Sequence, residues 1–113
     1  MRLHRIVQVI GICFLLFPII IYSASGAQIV LVTGFEPFSN YTVNPSQLIS
    51  EALNGSILND TEIIGMILPV DFNESVKMTT DAIEHYQPFL VISLGLNARN
   101  RVIKIEKIGI NLK

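Results

Sequence analysis

Phe35 and Phe38 flank Glu36-Pro37, directly after the apolar run Gln28–Thr33 and Gly34. Two rings on a short loop stiffened by proline can sandwich a small flat ligand or line an apolar slot. Equally, one or both rings can plug the end of a sheet as core. Glu106 is the second candidate. It interrupts an apolar alternation in which Ile103 and Ile105 precede Glu106-Lys107, and Ile108 and Ile110 follow. A carboxylate buried and hydrogen-bonded in such a strand can orient a histidine base as the third member of a catalytic triad. Beside Lys104 and Lys107 it can also be a solvent-facing strand charge. His85, near the end of a predicted helix, suits a cation at a helix C-terminus better than a base. No Ser or Cys nucleophile pattern accompanies it. Neither metal-ligand spacing nor a glycine-rich phosphate loop is present, so no metal and no cofactor is implied.

The elements that must position these residues follow from periodicity and punctuation. Gln28 to Thr33 reads as a buried strand. Asn44-Pro45 reads as a helix start, with Asn as cap and Pro at the first helical position. Leu48, Ile49, Ala52 and Leu53 give that helix one apolar face, and Gly55 closes it. Glu62 to Leu68 is a second strand, stopped by Pro69. Asn73 or Ser75 opens a second helix, with Val76, Thr79, Ile83 and Tyr86 at helical spacing, and Pro88 bars its continuation. Phe89 to Leu94 is a third strand. A polar loop, Asn97 to Arg101, leads into the alternating stretch Val102 to Leu112, a fourth strand. Strands alternating with helices predict an α/β fold with parallel pairing through right-handed crossovers. In such sheets ligands sit outside the carboxyl ends of the strands, where the Phe35–Phe38 loop emerges.

The 113-residue chain has room for one small domain, and its N-terminus is of another character. Arg2 and Arg5 precede an apolar run from Ile6 to Tyr22, and Ser23 to Ala27 are small. This is the layout of a secretory signal peptide cleaved after Ala27. An uncleaved anchor through residues 6–22 is the alternative, although the run is a little short of the roughly 20 residues a span needs. Four Asn-x-Ser/Thr sequons, at Asn40, Asn54, Asn59 and Asn73, use half of the eight asparagines and suit an exported glycoprotein. Asn, Ser and Thr also favour turns and caps for their own sake. The one cysteine, Cys13, lies in the leader, so residues 28–113 hold no disulfide, zinc-thiolate site or cysteine nucleophile. Those residues carry six basic and nine acidic side chains. The basic ones cluster late, as Arg99, Arg101, Lys104 and Lys107, with no aromatic interleaved. That pattern points to a solvated edge or a subunit contact rather than to nucleic acid.

Taken together, "VTGFEPF", "NPS", "ILPVDF" and "GLNARNRVIKIEKIGIN" resemble the N-terminal half of the pyrrolidone-carboxylate peptidases (pyroglutamyl-peptidase I, the C15 cysteine peptidases). The likeness runs from about Ile29 to Leu112. It implies a three-layer α/β sandwich with a mostly parallel central sheet, truncated after the first half of the family fold. The domain reading is then a leader at 1–27 and a half-domain at 28–113. The family removes N-terminal pyroglutamate from peptides, and its flat lactam answers to two aromatic walls. By resemblance Phe35 and Phe38 form the apolar pocket, and Val70 matches a pocket position often held by Thr. Arg101 matches the basic residue of the following loop. Glu106 matches the Glu that orients the His of a Cys-His-Glu arrangement. The family's Cys and His lie downstream of that Glu. Ser39-Asn40 replaces the usual Gly-Gly, and Lys104 stands where Ser or Thr is usual. Family members commonly form cytosolic homotetramers, whereas the leader here points to a secreted or membrane-anchored chain.

Two functions follow as expectations. One is a pyroglutamyl-peptidase-like cysteine peptidase present as a fragment, inactive by itself. The other is a secreted or membrane-tethered non-catalytic module that keeps only the scaffold or the lactam pocket.

Overall fold

The computed structural model describes residues 26–107. The leader at 1–25 and the end of the alternating stretch at 108–113 lie outside the described residues. The elements run β1 (Gln28–Phe35), α1 (Pro45–Leu53), β2 (Ile57–Leu58), β3 (Thr61–Leu68), α2 (Phe72–Tyr86) and β4 (Leu90–Ser93). They form one four-stranded sheet in the order β2-β3-β1-β4. β1 is central and pairs in parallel with both β3 and β4, as expected from the strand–helix alternation. Only the short β2 runs antiparallel, folding back on β3.

The helices lie on opposite faces of this sheet. A side chain added at Gly34 or Gly65 would meet α1 at Ser46 or Ser50. Thr33 and Phe35, one residue either way along β1, share a cleft with Ser75, Val76, Thr79 and Thr80 of α2. Alternate strand residues point to opposite faces, so α1 covers one face and α2 the other, which makes three layers. The apolar core sits on β1, at Val30, Leu31 and Val32, with Leu68 from β3 and Ala82 from α2.

Local chemistry explains most boundaries. Asn44 caps α1 with its side chain on Ser46 N–H, and Pro45 opens the helix. At the other end Gly55 takes φ +81, a conformation that suits glycine. Its N–H donates to Ile63 O at 2.9 Å and turns the chain towards β2. α2 starts earlier than Asn73 or Ser75: Asp71 caps it, accepting from Glu74 N–H at 2.8 Å. It stops at Gln87, which adopts the left-handed conformation before Pro88. On its surface Lys77 meets Asp81 at 2.7 Å, and that hydrogen bond holds the ammonium pKa above its ordinary value.

Two expectations fail. The face of α1 turned to the sheet is Ser46 and Ser50, both buried, while Leu48 and Ile49 are exposed and Leu53 is at the margin of exposure. Small residues are needed there because Gly34 and Gly65 bring the helix backbone into contact with the strands. The stretch from Val102 forms no strand through Lys107, and Ile103 and Ile105 are 100% and 88% exposed. A strand needs a neighbour to satisfy its backbone, and none lies beside this segment among the described residues.

Candidate functional site

The loop after β1 is held at both ends by two buried polar side chains. Asn44 and Ser46 are 1% and 4% exposed. Asn44 Nδ2 donates to Glu36 O at 3.0 Å, and its Oδ1 accepts from Ser46 N–H at 3.0 Å and Ser46 Oγ at 2.8 Å. Ser46 Oγ in turn accepts from Phe35 N–H at 3.0 Å. Glu36 N–H donates to Leu68 O at 3.1 Å, which ties the same loop to the end of β3. Asn44 is therefore a loop clamp as well as a helix cap. The Asn-Pro-Ser run reads as a cap in sequence; the clamp depends on contact with Phe35 and Glu36, which sequence spacing does not display.

The clamp sends the two rings to different places. Phe35, the last residue of β1, is half-buried on the α2 face. There it lines an open cleft of about 250 Å³ with Thr33, Leu68, Ser75, Val76, Thr79, Thr80 and Ser93. Five hydroxyls and three apolar groups make this lining, and no charged side chain enters it. Thr33 Oγ1 is buried there without a hydrogen-bond partner among the described residues. Phe38 is half-buried three residues on and packs edge-to-face on Tyr41, with ring centroids 5.8 Å apart at 62°. It is not among the residues lining the cleft. A neutral, flat, hydrogen-bonding group matches such a lining better than an ion does, since nothing in it compensates the desolvation of a charge.

The remaining candidates are not gathered around Phe35. Val70, after Pro69, is 57% exposed. Arg101 and Glu106 are exposed on the segment that follows β4, and neither makes a hydrogen bond or ion pair among the described residues. His85 stands in the last turn of α2 and packs edge-on against Tyr86 at 4.7 Å. The four sequon asparagines are all exposed: Asn40 in the β1–α1 loop, Asn54 at the end of α1, Asn59 in the β2–β3 turn and Asn73 in the first turn of α2. Among the described residues, no cluster of three or more His, Cys, Asp or Glu side chains could hold a metal. No described helix is long and apolar enough to cross a membrane.

Comparison with known proteins converges on one group. Residues 28–113 match the family model described as pyroglutamyl peptidase. The pyrrolidone-carboxylate peptidase of Lysinibacillus sphaericus is 44% identical over 84 residues, which are 74% of this chain and 41% of that protein. The Saccharolobus islandicus pyrrolidone-carboxylate peptidase is likewise 44% identical over 84 residues, 74% of this chain and 40% of its own length. The chain thus spans about two fifths of the curated relatives it matches. Among solved structures, the pyrrolidone carboxyl peptidase of Pyrococcus furiosus superposes with TM-score 0.60 at 36% identity, covering 62% of this chain and 34% of that one. The Thermococcus litoralis pyrrolidone carboxyl peptidase gives TM-score 0.60 at 31% identity, with 62% and 32% covered.

Proposed function

The chain belongs to the pyroglutamyl peptidase family, and on that premise we propose that it supplies the pocket-and-orienter part of a cysteine peptidase that removes N-terminal pyroglutamate from peptides. The observation that carries this reading is the charge-free cleft at the carboxyl end of β1, walled by Phe35. A lactam is neutral, flat and both donor and acceptor, whereas the open-chain glutamate side chain is an anion. In this reading Phe35 is one apolar wall, Phe38 becomes the second by turning from Tyr41 towards the cleft, which it does not line here, and Val70 and Arg101 are further substrate contacts. Glu106 orients and stabilises an imidazolium. For that, the segment carrying Arg101 and Glu106 has to fold back towards the cleft.

The reaction forms a bond from a thiolate sulfur to the pyroglutamyl carbonyl carbon. The carbon–nitrogen bond to the next residue breaks, the amine leaves with a proton from the imidazolium, and water then cleaves the thioester. Residues 28–113 contain no cysteine, so the nucleophile comes from outside them. Loss of the nucleophile in a comparable triad forfeits on the order of 10⁶ in rate. The chain alone therefore releases no fluorophore from a pyroglutamyl amide. Release appears when the remaining portion of a family member is added, and is strongly reduced with Glu106→Gln. Turnover by the chain alone that disappears in Glu106→Gln overturns the reading.

The leader belongs to the same reading. Residues 1–27 act as a signal peptide or as an anchor through 6–22, and the family match starting at residue 28 supports that boundary. Exposure of Asn40, Asn54, Asn59 and Asn73 leaves room for a glycan on each. In a host with N-glycosylation the product shifts in mass on glycosidase treatment and lacks or buries its first 27 residues. An unmodified, intact N-terminus on soluble cytosolic protein counts against export.

A further inference from the structure

Gln28 is both the first residue of β1 and the residue that follows the small run Ser23 to Ala27. Cleavage of the leader after Ala27 makes it the N-terminus. Gly26, Ala27 and Gln28 are all exposed, and a carbon added at Gly26 meets nothing within 4 Å, so the junction stands clear of the sheet. An N-terminal glutamine carries a nucleophile and an electrophile in one residue. Its free α-nitrogen can attack its own carboxamide carbon, Cδ. The bond from nitrogen to Cδ forms, the bond from Cδ to Nε2 breaks, and ammonia leaves with the proton shed by the α-amine. The product is a five-membered lactam, and no oxidant, reductant or second substrate is consumed.

β1 accommodates that ring. Gln28 lines an open hollow of about 620 Å³ together with Ile57, Asp60 and Glu62. A five-membered ring at the first residue of a strand is in the position where sheets tolerate proline, and the lactam keeps one N–H to donate. The same strand then withholds the product. Ile29 O accepts from Phe89 N–H at 3.0 Å, and Gln28 and Ile29 register against Thr61 and Glu62 of β3. Val30 is buried and paired on both sides. Presenting the bond between residues 28 and 29 to a peptidase therefore requires the start of β1 to leave the sheet. Nor can the lactam reach the cleft of its own molecule. Gln28 and Phe35 are the two ends of β1, roughly 23 Å apart at about 3.3 Å per residue.

We propose that the mature N-terminus is a pyroglutamate made from Gln28, and that the sheet shields it in the folded chain from peptidases of the chain's own family. This rests on the leader reading of residues 1–27. The test expresses the full 113-residue chain in secreting animal cells and reads its N-terminal peptide by mass spectrometry. That peptide is expected to start at residue 28, to be lighter than its sequence by one ammonia and to resist Edman degradation. Gln28→Ser gives a sequenceable terminus at full mass. The folded chain is then exposed to the Lysinibacillus sphaericus pyrrolidone-carboxylate peptidase, beside a synthetic peptide of residues 28–36 bearing the lactam. The chain loses its lactam at least roughly 100-fold more slowly than the peptide, because only the locally open state presents the bond. A terminus at Gln28 with full mass overturns the proposal and leaves the leader reading standing. An intact Met1, or a first residue other than 28, overturns both. Removal from the folded chain at the peptide's rate overturns the shielding.

Discussion

Gly65 on β3 and Ser50 on α1 are in such close contact that no methyl group fits between the strand and the helix carbonyl. A Cβ at Gly65 would also fall 2.9 Å from Asn54 Cβ. Backbone, not a flexible side chain, fills the space. Gly65→Ala therefore pushes α1 off the sheet, and overpacking of this kind costs about 1–3 kcal/mol. Urea titration should show a lower midpoint for Gly65→Ala. Gly95→Ala, where nothing lies within 4 Å of the added carbon, should titrate as the wild type.

Asn44 holds three hydrogen bonds in a site only 1% exposed. Asn44→Ala removes an N-cap and leaves the Glu36 carbonyl without its buried donor. A loss of about 2–3 kcal/mol is expected from those terms. The loop readout is more specific: Tyr41 should lose its fixed packing on Phe38, seen as averaged ring signals in the proton spectrum. Retention of those signals in Asn44→Ala would show that the loop holds itself.

Thr33 makes the opposite case. Its buried Oγ1 has no partner among the described residues, so Thr33→Val replaces an unsatisfied hydroxyl by a methyl of the same shape. Such an exchange stabilises by about 1 kcal/mol when the hydroxyl is truly orphaned. A higher urea midpoint is the expected result. Destabilisation by Thr33→Val would mean that the hydroxyl is satisfied in solution by water in the cleft.

The apolar core rests on β1 and a few neighbours, with Val30, Leu31, Val32, Leu68 and Ala82 buried. A domain of this size buries only about 60% of its unfolded surface. Residues 28–113 alone should therefore unfold over a broad temperature range with a small calorimetric peak. A sharp two-state transition from a monodisperse monomer would show the core to be sufficient by itself.

Much of this arrangement is legible in the sequence where a local rule acts. Asn44-Pro45 marks a helix start, Pro88 closes another, and the Ile/Val-rich run at 28–33 marks the central strand. The reading fails where the cause is contact between distant segments. Leu48 and Ile49 read as the core face of α1, yet Ser46 and Ser50 are the buried residues. The order reverses because Gly34 and Gly65 bring the helix too near for larger side chains. The β2 strand escapes notice because two residues carry no period. Val102 to Lys107 carries a strand's alternation without a strand's partner among the described residues, since alternation records which faces a segment could offer and not whether anything receives them. For the site, the motif indicates Phe35 and the end of β1. The separation of Phe38 from the cleft and the outlying positions of Arg101 and Glu106 depend on tertiary placement.

The turn that ends α1 also bears on how the molecule ages. Asn-Gly pairs lose ammonia spontaneously when the glycine nitrogen attacks the asparagine carboxamide to form a succinimide, which opens to aspartate or isoaspartate. Here the Gly55 N–H is committed to Ile63 O at 2.9 Å, and the Asn54 carboxamide is pinned on Gly65 N–H at 3.0 Å. Nucleophile and electrophile are neighbours in sequence, but each is engaged with β3. The reaction proceeds when that seam opens, so the rate of conversion at residue 54 follows the population of the locally open state. Isoaspartate accumulating in stored protein is thus a slow clock for the α1–β3 contact, and it runs faster in Gly65→Ala than in the wild type.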